Sequence, residues 1–136
     1  MKDKYEELKG QARKAVENAY SPYSNIKIGA AVLGASGKIY TGANIENASF
    51  GATICAERTA IVKAMSEKEQ YISAIAITGD ISDYAFPCGI CRQVMSEFMQ
   101  KDALVFVSGN NREWKQFLLE ELLPNSFDFY ASKKED

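Results

Sequence analysis

Two short and almost uninterrupted apolar runs are the sequence feature that most constrains the fold. They cover residues 72–77 (ISAIAI) and 103–107 (ALVFV), and such runs are typical of central strands that are covered on both faces. Between them, four apolar residues share one face of a predicted helix: Ile90, Val94, Met95 and Phe98. Strand, helix and strand in this order predict a parallel crossover, and therefore an α/β protein.

The rest of the chain supplies the other elements of a single domain over residues 1–136. In chain order, the predicted elements are an amphipathic helix over 3–20, a hairpin of strands over 27–33 and 38–45 and a helix that includes residues 60–65. The spacing of residues 113–123 suits either a helix or a strand, and the turn residues before it favour a fifth strand at 113–118 followed by a short helix up to Pro124. The last five residues, SKKED, are expected to fray.

Charge and hydropathy exclude several classes of protein. The net charge of −2 and the pI near 5.3 leave no basic surface for a nucleic acid. No stretch approaches the roughly 18 apolar residues that a membrane-spanning helix needs, and the first ten residues, MKDKYEELKG, contain no apolar leader segment. We therefore expect a cytoplasmic protein with neither a nucleic-acid nor a membrane partner.

The three cysteines are placed where a site would form. Cys88 and Cys91 make a C-x-x-C pair, and an odd number of cysteines favours a metal or redox site over a disulfide framework. Cys55 and Cys88 begin the helices that follow the second and third predicted strands. If those strands are parallel, the two helix starts meet at one edge of the sheet, where the positive helix ends favour thiolates.

The number and type of ligands indicate the metal. Three thiolates suit zinc far better than magnesium or calcium. A structural zinc site normally uses four protein ligands, but this chain has no histidine and no fourth cysteine. The fourth position is therefore a carboxylate or an exogenous group such as water, and an open position is typical of catalytic zinc. C-x-x-C alone also suits a redox pair or two buried thiols.

Two charged residues, Glu57 and Arg58, lie within three positions of Cys55. Glu57 can reach a water bound at the metal, which makes it a candidate general acid and base. Arg58 can offset the negative charge of a zinc ion with three thiolates by donating to sulfur. The alternatives are a carboxylate that only complements the helix dipole and a solvated surface arginine.

At these residues the chain closely resembles the free-nucleoside cytidine deaminases. The similarity is carried by Cys55-Ala56-Glu57-Arg58-Thr59-Ala60 and by Pro87-Cys88-Gly89-Ile90-Cys91-Arg92-Gln93. These match the Cys₃ form of a deaminase signature in which a glutamate is not a metal ligand. The resemblance extends over most of the chain, through residues 19–24, 29–31, 44–48 and 120–124.

The resemblance implies a fold, an assembly and a set of roles. The implied fold is a three-layer α/β/α sandwich with a five-stranded mixed sheet, assembled as a homotetramer with active sites at subunit junctions. One Zn²⁺ per subunit would be held by Cys55, Cys88 and Cys91, and Glu57 would move protons. The roles implied for substrate contacts are the Ala56 amide at the pyrimidine carbonyl and the pair Asn44 and Glu46 at the ribose hydroxyls.

Other positions are matched less closely. Ile26 stands where the family often has an aromatic residue against the base, and Phe50 stands where a tyrosine is common near a neighbouring subunit's site. Phe127 matches an aromatic residue that the family inserts into an adjoining subunit's pocket. The residues by themselves also allow structural roles. Asn44 could form a turn, Glu46 could lie on the surface, and Phe127 could anchor the C-terminus in the core.

The implied reaction is hydrolytic deamination of cytidine and 2′-deoxycytidine to the corresponding uridines, with release of ammonia. One alternative is another cytosine nucleoside such as blasticidin S, although Asn44, Glu46 and Ala48 favour the plain nucleoside. A deaminase of nucleic acid is disfavoured by the acidic balance. A non-enzymatic zinc module with a carboxylate as fourth ligand is the alternative from a different class.

Overall fold

The structure is a computed structural model that describes residues 2–129. The helices are α1 (Lys2–Ala15), α2 (Ala56–Ser66), α3 (Gly89–Phe98) and α4 (Leu119–Leu122), and the strands are β1 (Ile28–Gly34), β2 (Ile39–Ala43), β3 (Ile72–Gly79), β4 (Met99–Val107) and β5 (Lys115–Leu118). Short 3₁₀ turns cover Val16–Asn18 and Phe50–Ala52. The tail expected to fray lies outside the described residues.

The five strands form one mixed sheet in the order β2-β1-β3-β4-β5. β1 is antiparallel to β2 and to β3, whereas β3 and β4 are parallel. The predicted parallel crossover through α3 is therefore confirmed. Because β1 opposes both of its neighbours, β2 and β3 run in the same direction, which is the condition that the sequence argument set for the helix starts to meet.

Helices cover both faces of the sheet. The face toward α1 buries Leu8 and Ala12 against strand residues that include Ala31, Ala76 and Phe106. The alternate strand residues point to the other face and pack in the larger core with α2, α3 and α4. This alternation follows from the period-two geometry of strands, and it confirms the three-layer α/β/α fold with a five-stranded mixed sheet.

Two glycines let the helices approach the sheet closely. A Cβ atom on Gly29 would lie 2.4 Å from the carbonyl oxygen of Ala12 in α1, and one on Gly42 would lie 2.5 Å from the amide nitrogen of Ala60 in α2. Neither position has room for a side chain. The close seating of α2 on β2 places the start of α2 directly at the edge of the sheet where β2 ends.

The main differences from the predicted elements lie at their ends. β4 begins at Met99 rather than at residue 103, because the chain pairs with β3 as soon as α3 ends, and the register then shifts before Leu104. The first helix ends at Ala15 and continues as a 3₁₀ turn. No helix among residues 2–129 combines the length and apolar character required to cross a bilayer.

Candidate metal centre and active site

The three cysteines lie together where α2 and α3 begin. Cys55 is the residue before α2, Cys88 is the residue before α3, and Cys91 is in the first turn of α3. The Sγ atoms of Cys55 and Cys88 are 3.8 Å apart, those of Cys88 and Cys91 are 3.5 Å apart, and all three lie within 4.8 Å of one another. The helix starts thus meet at one edge of the sheet.

The spacing of the sulfur atoms fits a tetrahedral zinc site. Zinc–sulfur bonds of about 2.3 Å in a tetrahedron place the sulfurs about 3.8 Å apart. Among residues 2–129, the group that could hold a metal ion consists of these three cysteines. Three soft donors without a fourth protein ligand in the group suit zinc with an open position.

The metal-free thiols cannot all be ionised together. Hydrogen bonding from Cys91 and Arg58 lowers the pKa of Cys55 to about 5, against the cost of its partial burial. The resulting thiolate at Cys55, together with burial, raises the pKa of Cys91 far above its ordinary value. A cation is needed to hold three sulfurs this close as thiolates, because their mutual repulsion otherwise keeps one protonated.

Arg58 points its guanidinium at the sulfur cluster. Its Nη2 atom lies 3.5 Å from Cys55 Sγ, and the Cys55 interaction raises the pKa of Arg58 above its ordinary value. Its Nε atom is buried without a hydrogen-bond partner among the described residues. The arginine is therefore oriented toward the thiolates rather than into solvent, and its charge opposes theirs.

Glu57 lies in the first turn of α2 and is only 4% exposed. Burial is the largest cause that raises the pKa of this carboxyl, to about 7, and the negative charge of Cys55 raises it further. Its own amide and the Cys91 thiol act in the opposite direction without offsetting the desolvation. A carboxyl group with a pKa near 7 can both accept and donate a proton at neutral pH.

Ala56, between Cys55 and Glu57, is fully buried and opens α2. The amide of a first helical residue has no acceptor within its own helix. The role that the resemblance implies for this amide, at the pyrimidine carbonyl, stays a prediction.

Asn44 and Glu46 are each 9% exposed, so the alternative of a surface glutamate is wrong. Glu46 Oε1 accepts hydrogen bonds from the amides of Tyr23 (2.8 Å) and Ser24 (3.1 Å), and Oε2 accepts one from the Ser24 hydroxyl. The Ser24 hydroxyl is the largest cause that lowers the pKa of Glu46. The sequence offered no signal for this role of Ser24.

Asn44 fastens the same loop at its other end. Its Oδ1 accepts from the Ile28 amide at 2.9 Å, and its Nδ2 donates to the Ile26 carbonyl at 2.8 Å. Asn44 and Glu46 together hold residues 23–28, which carry Ile26. Asn44 and Glu46, which are expected to bind the ribose, thus also hold the loop that carries Ile26, which is expected to contact the base.

The remaining candidates lie on the surface of the single chain. Ile26 is 44% exposed, Phe50 73% and Phe127 64%, and Ala48 is also exposed. Phe127 is therefore not a core anchor. Phe50 contacts Tyr23 edge to face, with ring centroids 5.6 Å apart. The single chain brings the cysteines, Glu57 and Arg58 together, but it leaves these apolar side chains uncovered.

Comparison with known proteins gives the family. The family model described as "Cytidine and deoxycytidylate deaminase zinc-binding region" matches residues 2–108, which include all three cysteines. The chain belongs to the cytidine and deoxycytidylate deaminase family. The family resemblance read from the motifs is confirmed, and zinc is the metal of this family's matched region.

Individual relatives agree with this assignment. The chain is 45% identical over 117 residues to the cytidine deaminase of Halalkalibacterium halodurans, covering 86% of this chain and 89% of that one. It is 40% identical to the cytidine deaminase of Sporosarcina psychrophila, with 90% of each chain covered. The crystal structure of cytidine deaminase from Burkholderia pseudomallei superposes with a TM-score of 0.86, at 38% identity over 90% of this chain and 98% of that one.

Proposed function

We propose that this protein catalyses the zinc-dependent hydrolysis of cytidine and 2′-deoxycytidine to uridine and 2′-deoxyuridine, with release of ammonia. The observation that carries the proposal is the cluster of three sulfurs beside a buried glutamate whose pKa is near 7. Relatives that are named cytidine deaminases cover most of the chain at 40–45% identity, and they support the same substrate class.

The residues have distinct roles in this proposal. Cys55, Cys88 and Cys91 hold the zinc, which when bound supplies the Lewis acidity that makes water a nucleophile at neutral pH. Glu57 takes up the proton that the water loses, delivers it to N3 of the pyrimidine and carries a further proton to the departing amine. Arg58 offsets the negative charge of the thiolates.

Binding of the nucleoside is assigned to the neighbouring residues. The Ala56 amide donates to the pyrimidine carbonyl, and Asn44 and Glu46 bind the ribose hydroxyls. Glu46 accepts three hydrogen bonds in the structure, and a carboxylate has about four acceptor sites, so one remains for a sugar hydroxyl. Ile26 forms an aliphatic wall against the base, and Ala48 leaves space beside the sugar.

The assembly and the compartment are also proposals. We assign a homotetramer of single-domain chains in which Phe50 and Phe127 contact the site of a neighbouring subunit. Their exposed fractions of 73% and 64% support this, because both rings are accessible to a partner on the single chain. The three free thiols suit a reducing compartment, and we propose the cytoplasm and a role in pyrimidine salvage.

The proposed activity is tested with purified protein whose zinc content has been measured. Cytidine consumption is followed by ultraviolet absorbance, and ammonia is measured in parallel. The substrate panel contains cytidine, 2′-deoxycytidine, deoxycytidylate, blasticidin S and free cytosine. We expect turnover of the first two at the highest kcat/KM. Zinc-loaded protein that leaves both unchanged would refute the proposal, and preferred turnover of another member would reassign the substrate.

A further inference from the structure

Arg92 bridges two backbone carbonyls that are far apart in the sequence. Its Nε atom donates to the Pro87 oxygen at 2.8 Å, and its Nη1 atom donates to the Leu122 oxygen at 2.7 Å. Pro87 immediately precedes Cys88, and Leu122 is the last residue of α4. One half-buried side chain therefore connects the loop that carries a sulfur ligand to the C-terminal segment.

The contact with Pro87 acts on the backbone of Cys88. The Arg92 side chain binds the Pro87 carbonyl, which belongs to the peptide group that precedes Cys88. The Arg92 backbone amide donates to the Cys88 carbonyl at 3.0 Å, which belongs to the peptide group that follows Cys88. Rotation of either peptide would swing the Cys88 side chain. Because Cys88 is the most exposed of the three cysteines, packing constrains its sulfur least, and these two hydrogen bonds matter correspondingly more.

The second hydrogen bond of the Arg92 side chain, to the Leu122 carbonyl, holds the guanidinium in place. Carbonyls in the last turn of a helix have no partner within that helix, and Arg92 supplies one for α4. The next residue, Gln93, donates from Nε2 to the Phe127 carbonyl at 3.2 Å. Two consecutive side chains of α3 thus fasten the segment from α4 to Phe127 against the start of α3.

We propose that Arg92 is a positioning residue of the metal centre, which holds Cys88 in place by bridging the Pro87 and Leu122 carbonyls. This inference rests on the proposed binding of zinc by Cys88. The planar guanidinium presents donors in a rigid fork, so it can hold two carbonyls at once in a fixed geometry. A lysine has a single ammonium on a flexible stem and does not reproduce this bridge.

The test measures how fast zinc leaves the protein. Zinc-loaded wild type, Arg92→Met and Arg92→Lys are mixed with a chromogenic chelator, and metal release is followed by absorbance. Loss of a residue that orients a metal ligand typically weakens metal binding by about 10- to 100-fold. We expect release to be at least about 10-fold faster from both variants. Wild-type release from Arg92→Met, or full retention by Arg92→Lys, would overturn the bridging role.

Two matched variants separate this role from general loss of structure. Arg112 also donates from Nε to a loop carbonyl, that of Ser82, at 2.9 Å, so Arg112→Met removes a similar bond in the same loop without touching the peptides on either side of Cys88. Gln93→Ala removes the bond to Phe127 alone. We expect both to release zinc within about twofold of wild type, whereas rates equal to that of Arg92→Met would assign the effect to the C-terminal segment or to general loosening.

The outcome can be separated from the proposed function. Wild-type protein that binds no zinc would refute the metal assignment before any variant is compared. Wild type that binds zinc tightly, with an unchanged release rate in folded Arg92→Lys, would refute only the positioning role. Circular dichroism and thermal unfolding of every variant establish that folded proteins are being compared.

Discussion

Two glutamates with little exposed surface lie at opposite ends of α2, and their surroundings differ. Glu57 is in the first turn and is 4% exposed, and Glu69 is three residues beyond the last turn and is 8% exposed. Burial is the largest cause of the pKa shift at Glu57, whereas hydrogen bonds outweigh burial at Glu69. The pKa of Glu57 is raised to about 7, whereas the pKa of Glu69 is lowered.

The hydrogen-bond donors around Glu69 account for its lowered pKa. Glu69 accepts from the Ser36 amide at 3.0 Å, from the Ser36 hydroxyl at 2.5 Å and from the Tyr40 hydroxyl at 2.7 Å. The hydrogen bond that Tyr40 donates to Glu69 raises the pKa of Tyr40 to about 12. Gly34 leaves room for this arrangement, because a Cβ there would lie 2.3 Å from the Glu69 carboxyl carbon and would displace the carboxylate. Glu69 is therefore a structural clamp between the β1–β2 turn and the end of α2.

Glu57 lacks a comparable set of donors and has a thiolate as its neighbour. Its carboxyl group is consequently easier to protonate than an ordinary glutamate. A small exposed fraction thus does not by itself give the direction of a carboxyl pKa shift. Desolvation and the supply of donors set it together, and they make opposite predictions for the two ends of the helix.

Removal of a sulfur ligand should have the largest effect at the Glu57 end. We expect Cys88→Ser to lose more than about 100-fold in zinc affinity, since even indirect partners of metal ligands contribute about 10- to 100-fold. Cytidine turnover should fall to background with it. Metal content after dialysis against a chelator measures this, and a variant that keeps its zinc would exclude Cys88 as a ligand.

Glu57→Gln should separate catalysis from metal binding. Glutamine retains the shape but cannot accept and release the proton, so we expect full zinc content and a kcat lower by about 10²- to 10⁴-fold. Zinc analysis and steady-state kinetics on the same sample measure both. Near-normal turnover at full zinc content would remove Glu57 from the mechanism.

The same substitution should stabilise the metal-free protein at higher pH. The folded pKa of Glu57 is about 7 against an ordinary value of 4.5, so folding favours the protonated form and stability falls as pH rises through 7. Between pH 5 and 8, we expect Glu57→Gln to gain about 2 to 3 kcal/mol in unfolding free energy relative to wild type. Urea unfolding at both pH values measures this, and a constant difference would contradict the raised pKa.

Glu69→Gln should change stability and leave catalysis intact. The amide replaces a charged acceptor of three hydrogen bonds, and we expect the Tm to fall on the order of 5 °C. The values of kcat and KM should stay at those of wild type. The exposed neighbour Glu67 provides the control, since Glu67→Gln should alter neither property. A lower kcat in Glu69→Gln would mean that the two ends of α2 are coupled.

The smallest expected effect is the pH dependence of the Glu69 clamp. The hydrogen bonds from Ser36, followed by that from Tyr40, hold the pKa of Glu69 below its ordinary value of 4.5. Its contribution is present above pH 4.5 and is lost as pH falls through the folded pKa. The stability difference between wild type and Glu69→Gln should therefore shrink below pH 4.5. A difference that grows there would reverse the sign of the shift.

Much of the fold could be predicted because its signals are local. The apolar runs of β3 and β4 and the one-sided face of α3 identified the parallel crossover, and the residues between Gly34 and Gly37 identified the hairpin. The direct start of β4 at Met99 could not be predicted. It depends on pairing of Met99 with Ile72, a contact across the sheet that no local pattern encodes.

The site divides in the same way. The sequence by itself determined the chemistry, because three cysteines without histidine, placed at helix starts beside Glu57 and Arg58, leave few metals and few reactions. Only the tertiary structure decided which polar groups satisfy one another: Ser24 at Glu46, Ser36 at Glu69, and Arg92 between Pro87 and Leu122. The physical reason is that residue type sets what a group can bind, whereas burial and the donors within about 3 Å, which long-range packing brings together, set its charge and position.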